Sequence, residues 1–336
     1  MKSYLEASSV PAVTVGRAQV PRLVMGIHPY DGCSYQDENR DAENLKAFST
    51  VGQVVEVLRY TVEEHGITSA QVDHMLPDLD RLHLQAVWET EQATQTRIGL
   101  LPYILIPVTL DGKIVSYSPR AHATFYTHDE RLGGAAFRDK LAEDEILRYT
   151  LSGSIDNLVT PEIAAPYSEE EAARMAIDYG VLEQYLGFFA GCEVMVADPG
   201  AEIDLLAMLG RFDLIREYIA FLRGRYETVI TSVHHAGVTI PLLEEMNIDV
   251  DAYLTPVNRL GYYMFPTRDL ALGAIRNAKQ PVIAIKAMAG GRYLGHPAFE
   301  FVFNEVDVAS CLFGMGKLEQ VKQTATAARE VLAAAA

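Results

Sequence analysis

The stretch VIAIKAM, residues 282–288, is a short β-branched run, and the glycine turn AGGR, residues 289–292, follows it directly. Such runs recur along the chain, each before a longer segment with helical periodicity, which is typical of parallel βα units. The predicted strands lie at 23–27, 67–72, 103–108, 193–197, 229–233, 252–257, 282–287 and 308–313. Because eight such units close a (β/α)8 barrel, we predict an α/β fold with a single TIM-barrel domain over residues 1–336, closed at the bottom by residues 1–20.

Helix start signals support this pattern. TVGQ at 50–53 and SEEE at 168–171 are capping boxes, in which a hydroxyl and a Gln or Glu satisfy free backbone N–H groups. The first box predicts a helix that runs to residue 64, and the second predicts one that runs to Gly191. An alanine-rich closing helix is predicted at 318–332.

Residues 109–167 are too long for an ordinary barrel loop, so we predict a lid-like insertion after the third strand. A small helix at 135–150 is expected within it. The insertion is rich in polar and aromatic side chains that could cover a pocket, namely Tyr117, Arg120, His122, Tyr126, His128 and Arg131.

The charge balance bears on the partners. Lys and Arg total 28 and Asp and Glu total 45, which gives a net charge of -17 that repels nucleic acids and anionic membranes. Cys33, Cys192 and Cys311 lack metal-ligand spacing and fit reduced thiols. We therefore expect a cytoplasmic protein that acts on a small-molecule substrate; a homo-oligomer stays open.

Polar residues cluster where the predicted strands end, which is where a barrel holds its catalytic groups. We predict that His28, Asp73, His235 and Lys286 are catalytic, and that His235 rather than His234 faces the barrel mouth. A divalent metal ion held by His28, Asp198 and His235 is one candidate cofactor.

Lys286 is the one cation in an otherwise apolar predicted strand, where burial lowers a lysine pKa unless an acid pairs with it. Three roles stay open. It could form a Schiff base with a carbonyl substrate, orient an oxygen as a cation, or hold the barrel together by pairing with an acid such as Asp73.

Two glycine turns follow the seventh and eighth predicted strands and resemble phosphate sites, in which backbone N–H groups approach an anion at a helix start. A phosphorylated ligand or substrate is compatible with them. The predicted cofactor-binding residues are Gly290, Gly291, Arg292, Gly314, Gly316 and Lys317.

Motifs in residues 231–324 carry a family resemblance: VHH at 233–235, PVN at 256–258 and GMGKLEQV at 314–321. This region resembles the C-terminal half of the aldo-keto reductase superfamily. Weaker matches are VMGI at 24–27 and QVD at 71–73, where the family carries its catalytic aspartate. The resemblance implies a TIM-barrel enzyme, with NADPH as the cofactor if the redox chemistry is kept.

The family's catalytic Asp, Tyr, Lys and His have only one counterpart, Asp73. Asp78 stands in the tyrosine position, Asp198 stands in the histidine position, and the third predicted strand ends without a lysine. Leu254 and Thr324 replace the polar residues that hold the nicotinamide and the adenine. These departures predict weak or absent NADPH binding.

Three functions are therefore weighed. The first is a non-redox enzyme, a lyase or isomerase acting on a small polar carbonyl or sugar-like substrate, with metal assistance as an option. The second is an NAD(P)H-dependent aldo-keto reductase whose proton donor has moved, for example to Tyr30 or Tyr126. The third, a non-catalytic barrel, poorly explains the polar groups at the barrel mouth.

Overall fold

Eight parallel strands pair in an order that follows a circle. The computed structural model describes residues 1–116, 118–143, 159–314 and 316–334. In pairing order the strands are Thr231–Ser232, Tyr253–Pro256, Val282–Ile285, Ser310–Gly314, Leu23–Gly26, Ser69–Val72, Gly99–Ile104 and Asp198–Pro199. A parallel bridge between Ala197 and Val229 joins the two end strands. The sheet thus closes on itself, which confirms the predicted (β/α)8 barrel.

The third and fourth strands differ from their predicted positions. The third strand is Gly99–Ile104 rather than 103–108, because side chains take up the next backbone N–H groups: Leu105 donates to His74 Nε2, and Ile106 donates to the Glu202 carboxylate. The fourth strand is only Asp198–Pro199, and the predicted run 193–197 meets the third strand through a bridge from Val194 to Leu100.

Helices surround the sheet. The α-helices of the described residues are Tyr4–Ala7, Glu38–Ala47, Val51–His65, Pro77–Thr94, Pro119–Glu143, Glu169–Ala173, Tyr179–Phe188, Glu202–Met208, Phe212–Arg223, Ala236–Glu245, Arg268–Asn277, His296–Glu300 and Leu318–Ala334. A 3₁₀ turn at Ala289–Gly291 and a π-helical turn at Phe301–Glu305 complete them. None of the described helices combines the length and apolar character that crossing a membrane requires.

Both predicted capping boxes form, but only one precedes the predicted helix. Thr50 and Gln53 cap a helix that ends at His65, close to the predicted end. The box of Ser168 and Glu171 caps a helix that stops at Ala173, so the predicted run to Gly191 is wrong. Ala176–Ile177 is a strand that pairs with Val108–Leu110, and this extended backbone separates the two helices of the region.

Alternating side chains of the strands build two cores. Leu23 and Met25 belong to the large cluster between sheet and helices, whereas Val24 belongs to the cluster inside the barrel. The hairpin of Ala12–Val15 and Ala18–Pro21 adds its fully buried valines to the inner cluster. This hairpin directly precedes the first barrel strand, so it covers the N-terminal end of the barrel.

The predicted insertion after the third strand is present. It begins with Val108–Leu110, which pairs with Lys113–Ile114 and Ala176–Ile177 in a small antiparallel sheet. Its main element is the helix Pro119–Glu143, which breaks at Gly134 and is called the lid helix below. The predicted helix at 135–150 therefore begins earlier; its residues 144–150, and Tyr117, lie outside the described residues.

Gly66 ends the helix Val51–His65 in the left-handed conformation. Its φ is 57°, and an added Cβ would lie 2.1 Å from Ser9 Oγ. We expect Gly66→Ala to lower the free energy of unfolding by at least about 1–2 kcal/mol, measured by urea denaturation. Gly52→Ala in the same helix meets no atom within 4 Å and should be neutral or stabilising. Equal effects at both positions would contradict this explanation.

Candidate active site

A cavity of about 350 Å³ opens at the carboxyl ends of the strands, under the lid helix. All four residues predicted to be catalytic, His28, Asp73, His235 and Lys286, line it. His234 lines it as well, so both histidines of the pair reach the cavity rather than His235 alone. The lid helix contributes His122, Phe125, Tyr126, Asp129, Phe137 and Leu141.

A second cavity of about 410 Å³ adjoins the first. Four of the predicted cofactor-binding residues line it, namely Gly290, Gly291, Gly314 and Gly316. The two cavities have a shared wall, which consists of His28, Tyr35, Gln71, Ile285 and Lys286. Ligands in the two cavities would therefore contact the same side chains.

The two predicted cofactor-binding cations do not line the second cavity. Arg292 is exposed and donates hydrogen bonds to the carbonyl oxygens of Tyr35 and Gly290, at 2.6 and 3.2 Å. Lys317 is exposed near the start of the last helix. Arg40 is instead the guanidinium group among the lining residues. Met315, between the two glycines of its turn, lies outside the described residues.

Lys286 forms the central contact of the shared wall. Its Nζ donates a hydrogen bond of 3.1 Å to the Tyr35 hydroxyl and lies 4.8 and 5.1 Å from the ring centres of Tyr35 and Tyr263. Across the described ranges, no carboxylate forms an ion pair with it, so the structural pairing with Asp73 is not found. Burial lowers the pKa of Lys286 to about 8.

Tyr35 was not among the predicted site residues. It follows the first strand by nine positions, in a loop with no periodic pattern, and its φ of 57° is rare for a non-glycine residue. Burial raises the pKa of its phenol, so the phenol keeps its proton at neutral pH. The only signal in the sequence was the density of polar and aromatic residues after the first strand.

The two tyrosines that the sequence nominated as relocated donors lie elsewhere. Tyr30 packs against Phe48 and His83 and is 2% exposed, and it does not line either cavity. Tyr126 lines the first cavity from the lid helix and packs on Phe137, outside the shared wall.

Acidic and imidazole groups flank the Tyr35–Lys286 contact. His28 Nδ1 lies 3.0 Å from Asp31 Oδ2, and its ring meets the Tyr35 ring edge-on at 5.5 Å. Asp73 accepts hydrogen bonds from the backbone N–H groups of His74 and Met75, and burial raises its pKa. Tyr, Lys, Asp and His thus line one cavity, although only Asp73 stands at the position that the family resemblance implies.

The predicted metal ligands do not come together. His28 is paired with Asp31, and His235 with Asp129 at 2.7 Å. Asp198 is fully buried and accepts a hydrogen bond from Ser232. In the described part of the chain, no three His, Cys, Asp or Glu side chains are grouped as metal ligands would be. The described residues therefore give no support to a metal site at His28, Asp198 and His235, because each of the three has a different partner.

The chain is similar to several proteins of known structure. The chain is 13% identical to a Pseudomonas aeruginosa protein assigned as an aldo-keto reductase, over 95% of both chains, with a TM-score of 0.49. It is 9% identical to a Bombyx mori aldo-keto reductase in complex with NADP, over 97% of this chain and 91% of that one, with a TM-score of 0.47. No protein-family model and no curated protein matches the chain. At these identities and TM-scores, the likeness says nothing about what this chain binds or does.

The buried carboxyl group of Asp198 should make the stability of the protein depend on pH. Burial raises its pKa to about 8, above the unfolded value of about 3.9. The folded state therefore retains a proton that the unfolded chain releases, and stability falls as the pH rises between these two values. Asp198→Asn removes this loss, so its free energy of unfolding, measured by urea denaturation at each pH, should gain on that of the parent protein from pH 5 to pH 9, by more than about 1 kcal/mol at the upper end.

Asp269→Asn is the matched control, because the Asp269 side chain is 92% exposed. Its effect on stability should not grow with pH. A constant difference between Asp198→Asn and the parent protein across this range would contradict a protonated Asp198.

Proposed function

We propose that this chain is a carbonyl reductase that uses a reduced nicotinamide dinucleotide, with Tyr35 as the proton donor. The observation that carries the proposal is the position of the Tyr35–Lys286 hydrogen bond in the wall shared by two cavities. Carbonyl reduction needs a hydride at carbon and a proton at oxygen. The Tyr35 phenol at the boundary of the two cavities can supply the proton, and a reduced nicotinamide that contacts the carbonyl carbon beside it would supply the hydride.

The second cavity has features that fit a dinucleotide. Gly290 and Gly291 have φ values of 64° and 83°, and a Cβ on Gly291 would lie 2.6 Å from Gln36 Nε2. Glycines at such positions let the backbone approach a ligand closely. Arg40 adds positive charge to the lining.

Gln71 supplies a polar group that the family resemblance does not predict. It lines both cavities, and its Oε1 is buried without a hydrogen-bond partner among the residues described. A buried unpaired acceptor is costly, and a nicotinamide carboxamide offers the N–H groups that would satisfy it. Gln71 therefore fits the role that Leu254, which lines only the first cavity, cannot perform.

A bound reduced dinucleotide would supply the hydride, and the chain supplies the proton. The Tyr35 phenol transfers its proton to the substrate oxygen, and the carbonyl becomes an alcohol. The Lys286 ammonium already donates to the phenolic oxygen, so it stabilises the negative charge that develops there as the proton leaves. Lid residues such as Phe125 and Phe137 cover the cavity and limit the access of water.

The non-redox alternative uses His28, Asp73, His235 and Lys286 as acid, base and electrophile. It accounts for the first cavity, and a phosphorylated substrate could occupy the glycine turns of the second, but it assigns no role to the Tyr35 phenol between them. The redox proposal uses both cavities and Tyr35, and for this reason we favour it over a lyase or isomerase. The two proposals differ in one observable, the oxidation of NADPH when the carbonyl substrate is consumed.

Tyr35→Phe tests the proton donor. With para-hydroxymethylbenzaldehyde as the probe, we expect this change to lower kcat by about 100- to 10,000-fold, measured from NADPH absorbance. Tyr30→Phe is the matched control, since it removes a hydroxyl from the same segment outside both cavities, and it should leave kcat unchanged. Consumption of the probe without NADPH oxidation, or full activity in Tyr35→Phe, would overturn the proposal.

Gln71→Met tests the cofactor cavity independently of turnover. The methionine keeps the size of the side chain but removes its amide oxygen. We expect the Kd for NADPH to rise by about tenfold in isothermal titration calorimetry. An unchanged Kd would show that Gln71 does not bind the dinucleotide.

A further inference from the structure

We propose that His235 and Asp129 form a substrate anchor, in which Asp129 is a positioning residue and His235 donates a hydrogen bond to an uncharged oxygen of the substrate, a hydroxyl. This inference rests on the proposed function, because it names a feature of the carbonyl substrate. The anchor would bind a group remote from the carbonyl, and nothing in the family resemblance assigns a role to Asp129.

The dyad joins the barrel to the lid. His235 directly precedes the helix Ala236–Glu245 at the fifth strand, and Asp129 lies on the lid helix. Their side chains are 12% and 2% exposed, and Nδ1 of the histidine lies 2.7 Å from Oδ2 of the aspartate. Both residues line the first cavity. The aspartate thereby fixes the orientation of the imidazole.

The surroundings leave one edge of the His235 ring available. Phe125 stacks on the ring at 4.6 Å and 27°, and Phe265 stacks on it at 5.0 Å and 24°. The Nδ1 edge is occupied by Asp129. Nε2 has no hydrogen-bond partner in the described part of the protein, so the ring offers this nitrogen to the cavity that it lines.

The charges around the ring favour a protonated donor. Burial lowers the pKa of His235, but Asp129 and Asp204 more than offset this effect and leave the pKa raised, against an opposing contribution from Lys140. The two other nearby imidazoles, His128 and His234, have lowered pKa values, chiefly because they are buried. A protonated imidazole forms charge-assisted hydrogen bonds, which are stronger than neutral ones.

The same charges select the ligand group. A carboxylate at Nε2 would come close to the carboxylates of Asp129 and Asp204, whereas an uncharged oxygen would not be repelled. Asp129 Oδ1 is buried and has no hydrogen-bond partner among the described side chains and backbone groups. The dyad therefore presents one donor to the cavity, the Nε2–H group, and a hydroxyl oxygen can accept from it without bringing a negative charge near Asp129 and Asp204.

The anchor is separated from the reacting groups. His235 and Asp129 line the first cavity but not the second, and neither belongs to the shared wall. Aromatic side chains such as Phe125, Tyr126 and Phe265 line the same cavity. The structure thus assigns a substrate with its carbonyl at one end, a hydroxyl at the other and an apolar middle.

Two probes of nearly equal size test the anchor: para-hydroxymethylbenzaldehyde and para-ethylbenzaldehyde. We expect the protein to bind the hydroxymethyl probe at least about tenfold more tightly, measured by calorimetry without cofactor. Asp129→Asn should abolish this preference and lower the pKa of His235 in an NMR titration. The kcat of the variant should change much less than its KM, because Tyr35 and Lys286 are untouched.

Glu130→Gln is the matched control, since it removes the same charge from the adjacent position of the lid helix, where Glu130 forms an exposed ion pair with Arg138. It should keep the preference. If Asp129→Asn does not fold, His235→Phe preserves the ring stack while removing Nε2 and should give the same loss.

The outcomes separate the two proposals. A preference that Asp129→Asn abolishes, without NADPH oxidation, supports the anchor and overturns the reductase. NADPH oxidation with equal binding of both probes supports the reductase and overturns the anchor. A preference that survives in both Asp129→Asn and His235→Phe, or binding of neither probe, also overturns the anchor.

Discussion

The hydrogen bond from Lys286 to Tyr35 is the contact on which the site depends. A lysine ammonium that leaves water needs replacement partners, and here they are a phenolic oxygen and two tyrosine ring faces. The loop that carries Tyr35 is in turn tied to the turn after the seventh strand: Arg292 donates to the Tyr35 carbonyl, and Gln36 donates to the carbonyl of Gly290. The position of the phenol is therefore set by the same turn that lines the second cavity.

The barrel and the lid helix contribute different parts of the first cavity. The strands and the loop after the first strand provide the shared wall, whereas the lid helix provides the aromatic cover and Asp129. The ion pair of Asp129 with His235 connects lid and barrel inside the cavity. Lys140 also reaches across, since its Nζ donates to the Met264 carbonyl and lies 4.5 Å from the ring centre of Phe265. The lid is thus held to the barrel by contacts at Asp129 and at Lys140.

The fold was predictable because a β-branched run followed by helical hydrophobic periodicity repeats with every βα unit. The end of the third strand was misplaced because the backbone N–H groups of residues 105 and 106 donate to side chains that are distant in sequence. These side chains are His74 and Glu202. His28, Asp73, His235 and Lys286 were predictable as cavity residues for a topological reason: parallel strands bring their carboxyl ends together.

Tyr35, Gln71 and Asp129 were not predictable in the same way. The path of an irregular loop, the unpaired state of one amide oxygen and the docking of a lid helix all depend on tertiary contacts that leave no periodic pattern. The sequence also did not reveal that the three candidate metal ligands have separate partners, which are Asp31, Asp129 and Ser232.

A crystal structure of the protein grown with saturating NADP+ would show whether Tyr35 and Lys286 lie where a substrate cavity and a dinucleotide cavity meet. We expect the dinucleotide to lie along Gly290 and Gly291, with its nicotinamide beside Gln71, Tyr35 and Lys286, where it can contact a carbonyl in the first cavity. A dinucleotide bound elsewhere, or an empty second cavity at saturation, would contradict this expectation.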